Sequence, residues 1–458
     1  MAERAGAAVD QYLKRTPGSR LLDRRSQRVL PGGDTRSVTY FAPYPTYIQS
    51  ARGCTLVDVD GNRYTDFLNN YTSMIHGHGH PYVNAAIRLQ TEHGMSMAAP
   101  HELQVRLAEA IVARVPSVDQ IRFCNSGTEA AMTAIQAARG ATGRLVIAKM
   151  EGGYHGSYDH VRVSSHVRSA GSGLPSNNSS VLSDSVAKEV LVLPYNDVKA
   201  AVSLLRAKAK DIAAILVEPI LGSSGMIPAT IPFLRALREV ASGIGAVLIF
   251  DEVMTFRLSM GGSQAIVDVV PDLTIFGKII GGGLPVGAFG GNSRIMEQFA
   301  PEPKGSISHS GTFNGHLPAM AGGIATMELL KADRIEQINR LGDRLRQKLN
   351  EVFTETGFEA VATGWGSLLD VHFGTREVNS VKDAMATPPD LMAAIHLGLL
   401  NRGMFIAPRG MMNVSTAVTE FHCDQLVAAW RSVLTELSAT GEYESVRLRP
   451  KALAGRGS

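Results

Sequence analysis

The chain has 458 residues, of which 45% are hydrophobic and 19% charged, so it can bury the core of one large domain plus a smaller one. Its formal net charge is only +3 and its Lys and Arg residues are scattered, which argues against a nucleic-acid partner. The three cysteines (Cys54, Cys124, Cys423) fit neither a disulfide framework nor a CxxC metal site, and neither an export signal nor a membrane-spanning run of about 18 apolar residues is evident, so a cytoplasmic protein is expected.

The predicted elements divide the chain into three regions. Residues 1–65 are predicted as an N-terminal helix, a loop-like arm that can reach into a site (PGGDTRSVTYFAPYP), and a hairpin about a DG turn (CTLVDVDGNRYTDF). We assign this region to the small domain, residues 66–320 to a large domain and residues 321–458 to a C-terminal α+β part of the small domain. A long amphipathic stretch from about Pro318 to Glu355 leads into that last part.

The large region alternates short apolar strands with helical stretches. This alternation predicts an α/β fold with a mainly parallel sheet, in which ligand groups gather at the carboxyl ends of the strands. A Ser, Asn and Gly-rich segment at residues 164–186 is predicted to be a mobile insertion. The predicted strands are QIRFCN, RLVIAKM, EVLVLPYN, IAAILVEPI, AVLIFDEV and DLTIFGK.

The first motif with chemical meaning is FCNSGTEAAM, in which a strand ends near Cys124 and a helix opens at Ser126, Gly127 and Thr128. Backbone N–H groups and two hydroxyls at a helix N-terminus form a cradle for a phosphate. The alternative interpretation is an ordinary helix cap, for which Ser and Thr are equally suited.

A carboxylate and a lysine follow two consecutive apolar strands. Asp251 ends VLIFD, and Lys278 follows LTIFG. A carboxylate can keep a pyridine nitrogen protonated, so that the ring accepts the electrons left when a C–H bond breaks, and a lysine amine can form an imine with an aldehyde. The alternatives are a structural salt bridge for Asp251 and a surface lysine for Lys278, but the apolar flanks of both argue against a solvated face.

Three further residues suit a flat phosphorylated ring. They are Tyr154 in EGGYHGSYDH, Glu218 in VEPILGSSG and Thr312 in SHSGTFNGH. An aromatic face and extra hydroxyl donors are what such a ligand requires. Each also has a plain structural alternative, respectively core packing, hydrogen bonding to loop amides and capping of a turn.

The order of the motifs NSGTEA, GGYHG, VEP, FDEV, PDLTIFGKIIGGGLPVGAFGG and SGTF resembles that of the class III (omega) aminotransferases, over roughly residues 20–440. The resemblance implies a pyridoxal-phosphate-dependent (PLP-dependent) transferase of fold type I. It further implies a large domain with a mainly parallel seven-stranded sheet, a smaller α+β domain and pyridoxal 5'-phosphate as the cofactor.

The resemblance also implies roles for single residues. Lys278 is the Schiff-base lysine, Asp251 contacts the pyridine nitrogen, and Val253 packs against the ring opposite Tyr154. The phosphate is held by Ser126, Gly127 and Thr128. In this family Thr312 reaches the phosphate of the neighbouring subunit, which implies a homodimer with composite active sites.

Three segments separate the chemistries of the family, and two of them contain the arginines Arg36 and Arg409. The lysine segment is similar to that of glutamate-1-semialdehyde aminomutase, whereas DTRSVTYFAPYP, DEVMTFRLS and GMFIAPRGMMNVS are more similar to aromatic β-amino acid (β-phenylalanine) aminotransferases. A guanidinium binds a carboxylate with two hydrogen bonds. Our hypothesis is that Arg36 holds the β-amino acid carboxylate and that Arg409 holds the α-carboxylate of the keto acid and otherwise swings aside; the alternative for Arg409 is a solvent-facing turn arginine.

Other residues near these segments have weaker patterns. Phe41 and Tyr71 are predicted to line a substrate pocket, with core packing as the alternative. The alternating histidines of HGHGH (residues 76–80) lack the acidic or cysteine partners of a closed metal site, so no metal is predicted.

The predicted activity is transfer of the amine of a β-amino acid, aromatic as in β-phenylalanine, to 2-oxoglutarate or pyruvate. The first alternative is an aminomutase or racemase of the same family, which would need no second keto substrate. A non-catalytic member is the second alternative, against which the intact Lys278 and Asp251 argue. A dinucleotide-binding oxidoreductase is set aside, because the glycines of GKIIGGGLPVG follow the lysine and do not lead from a strand into a helix.

Overall fold

The computed structural model describes residues 6–165, 182–301 and 305–448. Contacts divide the chain into unit 1 (Met1–His80, Gln337–Val378 and Asp383–Ser458) and unit 2 (Pro81–Glu336 and Asn379–Lys382). The predicted domain boundaries after residues 65 and 320 stay a prediction. Most of the predicted insertion at 164–186 lies outside the described residues.

The strands, in chain order, are β1 (Ile48–Arg52), β2 (Thr55–Asp58), β3 (Arg63–Asp66), β4 (Gln120–Cys124), β5 (Val146–Met150), β6 (Val190–Leu193), β7 (Ile212–Val217), β8 (Ile220–Leu221), β9 (Ile227–Pro228), β10 (Val247–Asp251), β11 (Leu273–Gly277), β12 (Gly287–Gly291), β13 (Ala360–Trp365), β14 (Leu368–Phe373), β15 (Met404–Phe405) and β16 (Met412–Asn413).

The α-helices are α1 (Gly6–Arg15), α2 (Pro17–Ser26), α3 (Pro81–His93), α4 (Glu102–Val112), α5 (Gly127–Thr142), α6 (Asp159–Arg162), α7 (Asp184–Lys188), α8 (Val198–Ala207), α9 (Ile231–Ile244), α10 (Gly262–Val267), α11 (Ser293–Met296), α12 (Leu317–Leu329), α13 (Ala332–Glu355), α14 (Val381–Ala384), α15 (Pro389–Asn401) and α16 (Glu420–Ala439). Within the described residues, no helix combines the length and the apolarity needed to cross a membrane.

Unit 2 contains a seven-stranded sheet of order β4-β12-β11-β10-β7-β5-β6. Strands β11, β10, β7, β5 and β6 pair in parallel, and β12 pairs antiparallel with both β11 and β4. The small residues of α5, such as Ala130 and Ala134, are buried in the core that covers the sheet. The predicted α/β fold is therefore confirmed, with all six predicted strands present.

Strand β12, in the segment GAFGG, was not predicted as a strand. Glycine weakens a strand because it adds backbone entropy and no packing side chain, so its pattern resembles a loop. In the structure the glycines allow close packing, since a Cβ at Gly287 would lie 2.0 Å from the Ser126 carbonyl oxygen and one at Gly291 would lie 2.2 Å from the Asp272 carbonyl oxygen. Glycines are therefore required in this strand, because its neighbours approach too closely for larger residues.

Unit 1 contains a four-stranded sheet, β1-β2-β3-β15, and a three-stranded sheet, β13-β14-β16. The predicted hairpin is confirmed as β2 and β3, which pair antiparallel with Leu56 opposite Tyr64. Its turn uses Gly61 at φ 83°, a left-handed conformation that favours glycine. Buried Asp58 accepts hydrogen bonds from the Asn62 amide (2.7 Å) and the Tyr64 hydroxyl (2.8 Å), which closes the turn.

The stretch predicted as one amphipathic run from Pro318 to Glu355 forms two helices. Helix α12 ends at Leu329, the next residue Leu330 is not helical (φ −86°, ψ 77°), and α13 begins at Ala332. Nearly all of α12 is buried, and a Cβ at Gly323 would lie 2.1 Å from the Ile280 carbonyl oxygen. The prediction was wrong for this half of the stretch, because α12 is enclosed by protein and only α13 has an amphipathic pattern.

His396 of α15 is expected to lower the stability of unit 1. It is buried, and neither ring nitrogen has a hydrogen-bond partner within the described residues. Burial lowers its pKa from 6.5 to about 3. We expect His396→Leu to raise the free energy of unfolding at pH 7.5 by about 1–3 kcal/mol, because an unsatisfied buried polar group is removed. Urea denaturation measures this difference.

The difference between His396→Leu and wild type is expected to grow as the pH falls. The unfolded histidine takes up a proton below about pH 6.5, whereas the folded one does so only near pH 3, so wild-type stability decreases across this interval by up to about 1.4 kcal/mol per pH unit. Exposed His93→Leu is the control and should keep the wild-type pH dependence. An equal slope in His396→Leu and wild type would contradict the assignment.

Candidate active site

Four predicted site residues lie at one edge of the unit 2 sheet. Ser126 follows β4, Glu218 follows β7, Asp251 ends β10 and Lys278 follows β11. Parallel strands bring their carboxyl ends to the same edge, and β4 has this direction too because both it and β11 are antiparallel to β12. Residues that are far apart in the sequence are therefore neighbours here.

The N-terminus of α5 forms the first part of the site. Ser126 is the N-cap residue, and its hydroxyl accepts a hydrogen bond from the Glu129 amide at 3.2 Å. Thr128 Oγ1 accepts one from the Ser157 amide at 3.2 Å. Gly156, at φ 99°, allows this loop to approach, since a Cβ there would lie 2.3 Å from Thr128 Oγ1. The 16-residue helix presents the positive end of its dipole here, which favours an anion.

Asp251 is held in one orientation from both sides. Its Oδ1 accepts a hydrogen bond from the Val253 amide at 3.0 Å, and its Oδ2 lies 2.8 Å from Nδ1 of His155. Burial outweighs the nearby carboxylate and lowers the pKa of His155, so the imidazole is neutral and donates from Nδ1 to Asp251. Asp251 therefore stays an acceptor of fixed geometry.

His155 was missed by the sequence analysis. It directly follows Tyr154 in the motif GGYHG, but its partner Asp251 is 96 residues away. Its Nε2 is buried and has no hydrogen-bond partner within the described part of the chain. Only the adjacency to Tyr154 could have drawn attention to it from the sequence.

Lys278 has a strained backbone at the site. Its φ is 50°, and it begins a short 3-10 turn, Lys278–Gly281, directly after β11. Left-handed conformations are uncommon for residues other than glycine, and such strain is concentrated at functional sites. The strain sets the direction in which the half-buried lysine side chain leaves the sheet.

Val253 lies between the helix N-terminus and the lysine. A Cβ at Gly127 would lie 3.4 Å from a Val253 methyl, and one at Gly277 would lie 3.3 Å from the other. Glycine at both positions leaves the space beside Val253 open. This is an apolar wall of the kind on which a flat ring packs.

Glu218 fixes the loop that carries Tyr154. Its carboxyl oxygens accept hydrogen bonds from the amides of Tyr154 (2.8 Å) and Gly222 (3.1 Å). Burial and the Asp251 carboxylate raise the pKa of Glu218, and the charge of Lys278 partly opposes this shift. The Tyr154 side chain is 40% exposed, which fits a stacking platform better than core packing.

Lys149 of β5 is a second residue that the sequence analysis missed. It is fully buried and donates hydrogen bonds to the carbonyls of Gly153 (3.0 Å) and Val163 (2.7 Å), which joins the two ends of the Tyr154 loop. Burial lowers its pKa to about 7. Lys149 therefore holds the loop that carries Tyr154 in place through these two hydrogen bonds.

Thr312 is not joined to these residues within one chain. It is exposed, and its hydroxyl makes no hydrogen bond within the described residues. The adjacent Phe313 is also exposed, at 55%. An exposed threonine beside a large exposed aromatic residue is compatible with a contact to a second subunit.

Three of the predicted substrate residues, Arg36, Arg409 and Tyr71, lie together within unit 1. The guanidinium carbons of Arg36 and Arg409 lie 5.0 Å and 5.5 Å from the ring centre of Tyr71. Arg36 Nη1 donates to Asn70 Oδ1 at 2.7 Å, and neither arginine forms an ion pair within the described residues. Phe41 lies elsewhere in unit 1, half-buried against the ring of His396 at 4.6 Å between ring centres.

Two of the three histidines of HGHGH have ordinary hydrogen-bond partners. His78 Nε2 lies 2.7 Å from Asp66 Oδ2, and His76 Nδ1 lies 3.1 Å from Thr416 Oγ1. Among the described residues, His, Cys, Asp and Glu side chains form no group of three that could hold a metal ion. The expectation of no metal stays a prediction.

The unit 2 residues fit pyridoxal 5'-phosphate. The open N-terminus of α5 suits its phosphate, and the space beside Val253 suits its ring. Buried Asp251 suits its pyridine nitrogen, and Lys278 offers an amine to its aldehyde. A mainly parallel sheet with these groups at its carboxyl edge defines a PLP-dependent transferase of fold type I.

The chain belongs to the class III aminotransferases, whose family model, "Aminotransferase class-III", matches residues 39–434. It is 41% identical over 385 residues to the glutamate-1-semialdehyde 2,1-aminomutase of Ignicoccus hospitalis, covering 84% of this chain and 90% of that protein. It is 38% identical over 427 residues to the beta-phenylalanine transaminase of Variovorax paradoxus, covering 92% and 94%.

Solved structures agree with this membership. An omega-transaminase from Sphaerobacter thermophilus is 39% identical and superposes with a TM-score of 0.87, over 92% of this chain and 98% of that one. The chain is therefore an enzyme that uses pyridoxal 5'-phosphate as its cofactor and acts on small amino and keto acids. The predictions of family, fold, enzyme class and cofactor are confirmed.

Proposed function

We propose that this enzyme transfers the amine of an aromatic β-amino acid, such as β-phenylalanine, to an α-keto acid, either 2-oxoglutarate or pyruvate. The observation that carries the proposal is the pair of guanidiniums on the Tyr71 ring, neither of which has a carboxylate partner within the described residues. An aminotransferase must bind two carboxylate substrates in turn, and guanidiniums bind carboxylates with two parallel hydrogen bonds. The similarity to the Variovorax paradoxus protein supports the β-amino acid as donor.

The contacts of the two arginines support different roles. Arg36 is bound to the amide oxygen of Asn70, a good acceptor, at 2.7 Å. Arg409 donates to the thioether sulfur of Met411, a weak acceptor, and also hydrogen-bonds the Tyr71 side chain, while its buried Nε has no hydrogen-bond partner within the described residues. The Arg409 side chain is therefore more easily displaced than that of Arg36. This is expected of an arginine that binds the α-carboxylate of the keto acid and moves aside when Arg36 holds the β-amino acid.

We assign the cofactor-binding roles to the unit 2 residues. When bound, pyridoxal 5'-phosphate supplies an electron sink for the carbon that loses its proton. Lys278 would hold the cofactor through its amine and would move the proton of the amine-bearing carbon, while Asp251 would keep a proton at the pyridine nitrogen. The residues that bind the phosphate or orient the ring are Ser126, Gly127, Thr128, Tyr154, Glu218 and Val253.

We also propose a homodimer with composite active sites. Exposed Thr312 would bind the phosphate of the cofactor in the partner subunit, and exposed Phe313 would be covered by the same contact. Monomers would then lack one phosphate ligand at each site. The cytoplasmic location stays a prediction.

A second candidate is an aminomutase that moves an amine within one substrate. It is favoured by the 41% identity to the Ignicoccus hospitalis protein. An intramolecular reaction consumes no second keto acid, whereas a transaminase stops after one turnover without one. Dependence on an added α-keto acid therefore distinguishes the two.

The test follows cofactor absorbance in each half-reaction, with β-phenylalanine and then with 2-oxoglutarate or pyruvate. We expect wild type to lose the absorbance of the aldehyde form with the amine and to recover it with the keto acid. Arg36→Ala should lower kcat/KM for β-phenylalanine about 100-fold, and Arg409→Ala should lower that for the keto acid by a similar factor, because a charged, bidentate contact is lost.

The control is Arg24→Ala on the exposed surface of α2, which should behave as wild type. Unimpaired half-reactions in both arginine variants would refute their assignment. A wild-type cofactor that responds to a semialdehyde or diamine but not to β-phenylalanine would support the aminomutase.

A further inference from the structure

Four consecutive residues that include Tyr71 form a left-handed turn. The φ angles of Asn69, Asn70, Tyr71 and Thr72 are 46°, 46°, 54° and 78°. Single asparagines adopt this conformation readily, but a tyrosine and a β-branched threonine rarely do. The turn is closed by hydrogen bonds from the Thr72 amide to the Leu68 carbonyl and from the Met74 amide to the Asn69 carbonyl. Such strain persists only where the surrounding structure enforces it.

A buried polar clamp enforces this turn. Asp66 Oδ1 accepts hydrogen bonds from the amides of Leu68 (2.7 Å) and Asn69 (2.8 Å). Asn413 Nδ2 donates to the Leu68 carbonyl at 2.7 Å, and Asn69 Nδ2 donates to the Asn413 carbonyl at 3.1 Å. Asp66, Asn69 and Asn413 are each 2% exposed or less. The strain is therefore stabilised by bonds that cannot be exchanged for water.

The turn places the Tyr71 side chain against both arginines and the Asn70 side chain against Arg36. The Tyr71 ring has the guanidinium of Arg36 at 5.0 Å and that of Arg409 at 5.5 Å, and Asn70 Oδ1 accepts the hydrogen bond from Arg36. The Tyr71 hydroxyl donates to the Val38 carbonyl at 2.7 Å, which ties the ring to the arm that carries Arg36. The turn at residues 69–72 therefore contacts both guanidiniums and the arm that carries Arg36.

The same clamp also fixes the segment that carries Arg409. Asn413 belongs to β16, four residues after Arg409, and its amide donates to the Phe67 carbonyl at 2.6 Å. On either side of Arg409, the Ala407 amide donates to the Met411 carbonyl at 3.0 Å. The turn and the arginine segment are therefore held in one network within unit 1.

We propose that Tyr71 is a positioning residue, which sets the placement of Arg36 and Arg409 through its ring and so determines the affinity for substrate carboxylates. Two guanidiniums without an anion repel each other, and the electron-rich faces of one ring offset that repulsion and restrict both side chains. An arriving carboxylate then meets guanidiniums that are already ordered. This inference rests on the proposed function, because it assumes that these arginines bind the substrates.

The alternative is that Tyr71 only packs, or only contacts the side chain of the substrate. A double-mutant cycle with Arg409→Ala separates these possibilities, because a residue that acts through Arg409 has no effect once Arg409 is gone. The measured quantity is KM, with kcat alongside, for the α-keto acid that wild type accepts. Thermal unfolding of each holoenzyme variant reports any loss of fold.

We expect Tyr71→Leu to raise this KM at least about tenfold while kcat changes less than about threefold. A raised KM with a nearly unchanged kcat means that the lost contact stabilised the bound substrate and the transition state equally. Tyr71→Phe, which keeps the ring but loses the hydroxyl's hydrogen bonds to Val38 and Arg409, should show a smaller rise. The double variant Arg409→Ala/Tyr71→Leu should have the KM of Arg409→Ala alone. The control is Tyr47→Leu, another half-buried tyrosine of unit 1, whose hydroxyl bonds Ser26 at 2.6 Å; it should leave KM unchanged.

Additive effects in the double variant, or a wild-type KM in Tyr71→Leu, would overturn the positioning role. If Tyr71→Leu unfolds, Tyr71→Phe and its double variant with Arg409→Ala decide by the same criterion. A different result would refute the proposed function. In that case wild type would not react with β-phenylalanine, but the double-mutant cycle measured with the carboxylate substrate that it does accept would still be non-additive. The two failures are therefore distinguishable.

Discussion

Replacing Lys278 with alanine is expected to lower the rate of amine transfer at least about 10³-fold. The variant loses both the covalent attachment of the cofactor and the amine that moves the proton, and a positioned acid–base group alone contributes up to about 10⁴-fold. The φ of 50° at this residue is uncommon outside glycine, and such strain is concentrated at functional sites. Stopped-flow absorbance of the half-reaction with β-phenylalanine measures the loss.

A second readout does not depend on turnover. After reduction with borohydride, mass spectrometry should find the cofactor attached to the Lys278 peptide in wild type and to no peptide in the variant. Exposed Lys331→Ala is the control and should keep both the rate and the attachment. Covalent cofactor on another lysine, or a rate within tenfold of wild type, would refute the role of Lys278.

Replacing Asp251 with asparagine is expected to lower kcat about 10³-fold. The amide keeps the shape and can still accept the hydrogen bond from His155, but it cannot hold a proton at the pyridine nitrogen, so the ring is a poorer electron acceptor. Single-turnover rates with saturating amine measure the chemical step. Cofactor binding should weaken far less than kcat, since the helix N-terminus at Ser126 and the Lys278 attachment are retained.

The control for this prediction is Asp268→Asn. Asp268 is an exposed aspartate in a left-handed conformation at the end of α10, which asparagine tolerates. It should leave kcat unchanged. If Asp251→Asn kept a kcat within threefold of wild type, Asp251 would be a structural residue that only accepts the bonds of His155 and Val253.

The sequence was sufficient to predict six of the seven strands of the unit 2 sheet. Its strands are apolar runs followed by polar residues, and their alternation with helices permits little except a parallel α/β sheet. Asp251 and Lys278 could be singled out for the same reason, since a charged residue at the end of a buried strand needs a partner or a function. Strand β12 was missed because close contacts with neighbouring residues require glycine at several of its positions, and glycines give no apolar pattern in the sequence.

Pairings between distant segments were decided only by the tertiary structure. The bond between His155 and Asp251 joins residues 96 positions apart, and the contact of Asn413 with Leu68 joins residues 345 positions apart. The left-handed turn at Tyr71 is equally invisible in the sequence, because local preferences disfavour it and only the buried clamp sustains it.

The sequence by itself determined the family, the order of the strands along the chain and the identity of the groups that can react, because local periodicity and motif order encode these directly. The tertiary structure decided which side chains meet: the neutral histidine behind Asp251, the buried Lys149 beneath the Tyr154 loop, and the single ring shared by Arg36 and Arg409. These contacts depend on burial and on the closure of long loops, and neither is a property of any local stretch of residues.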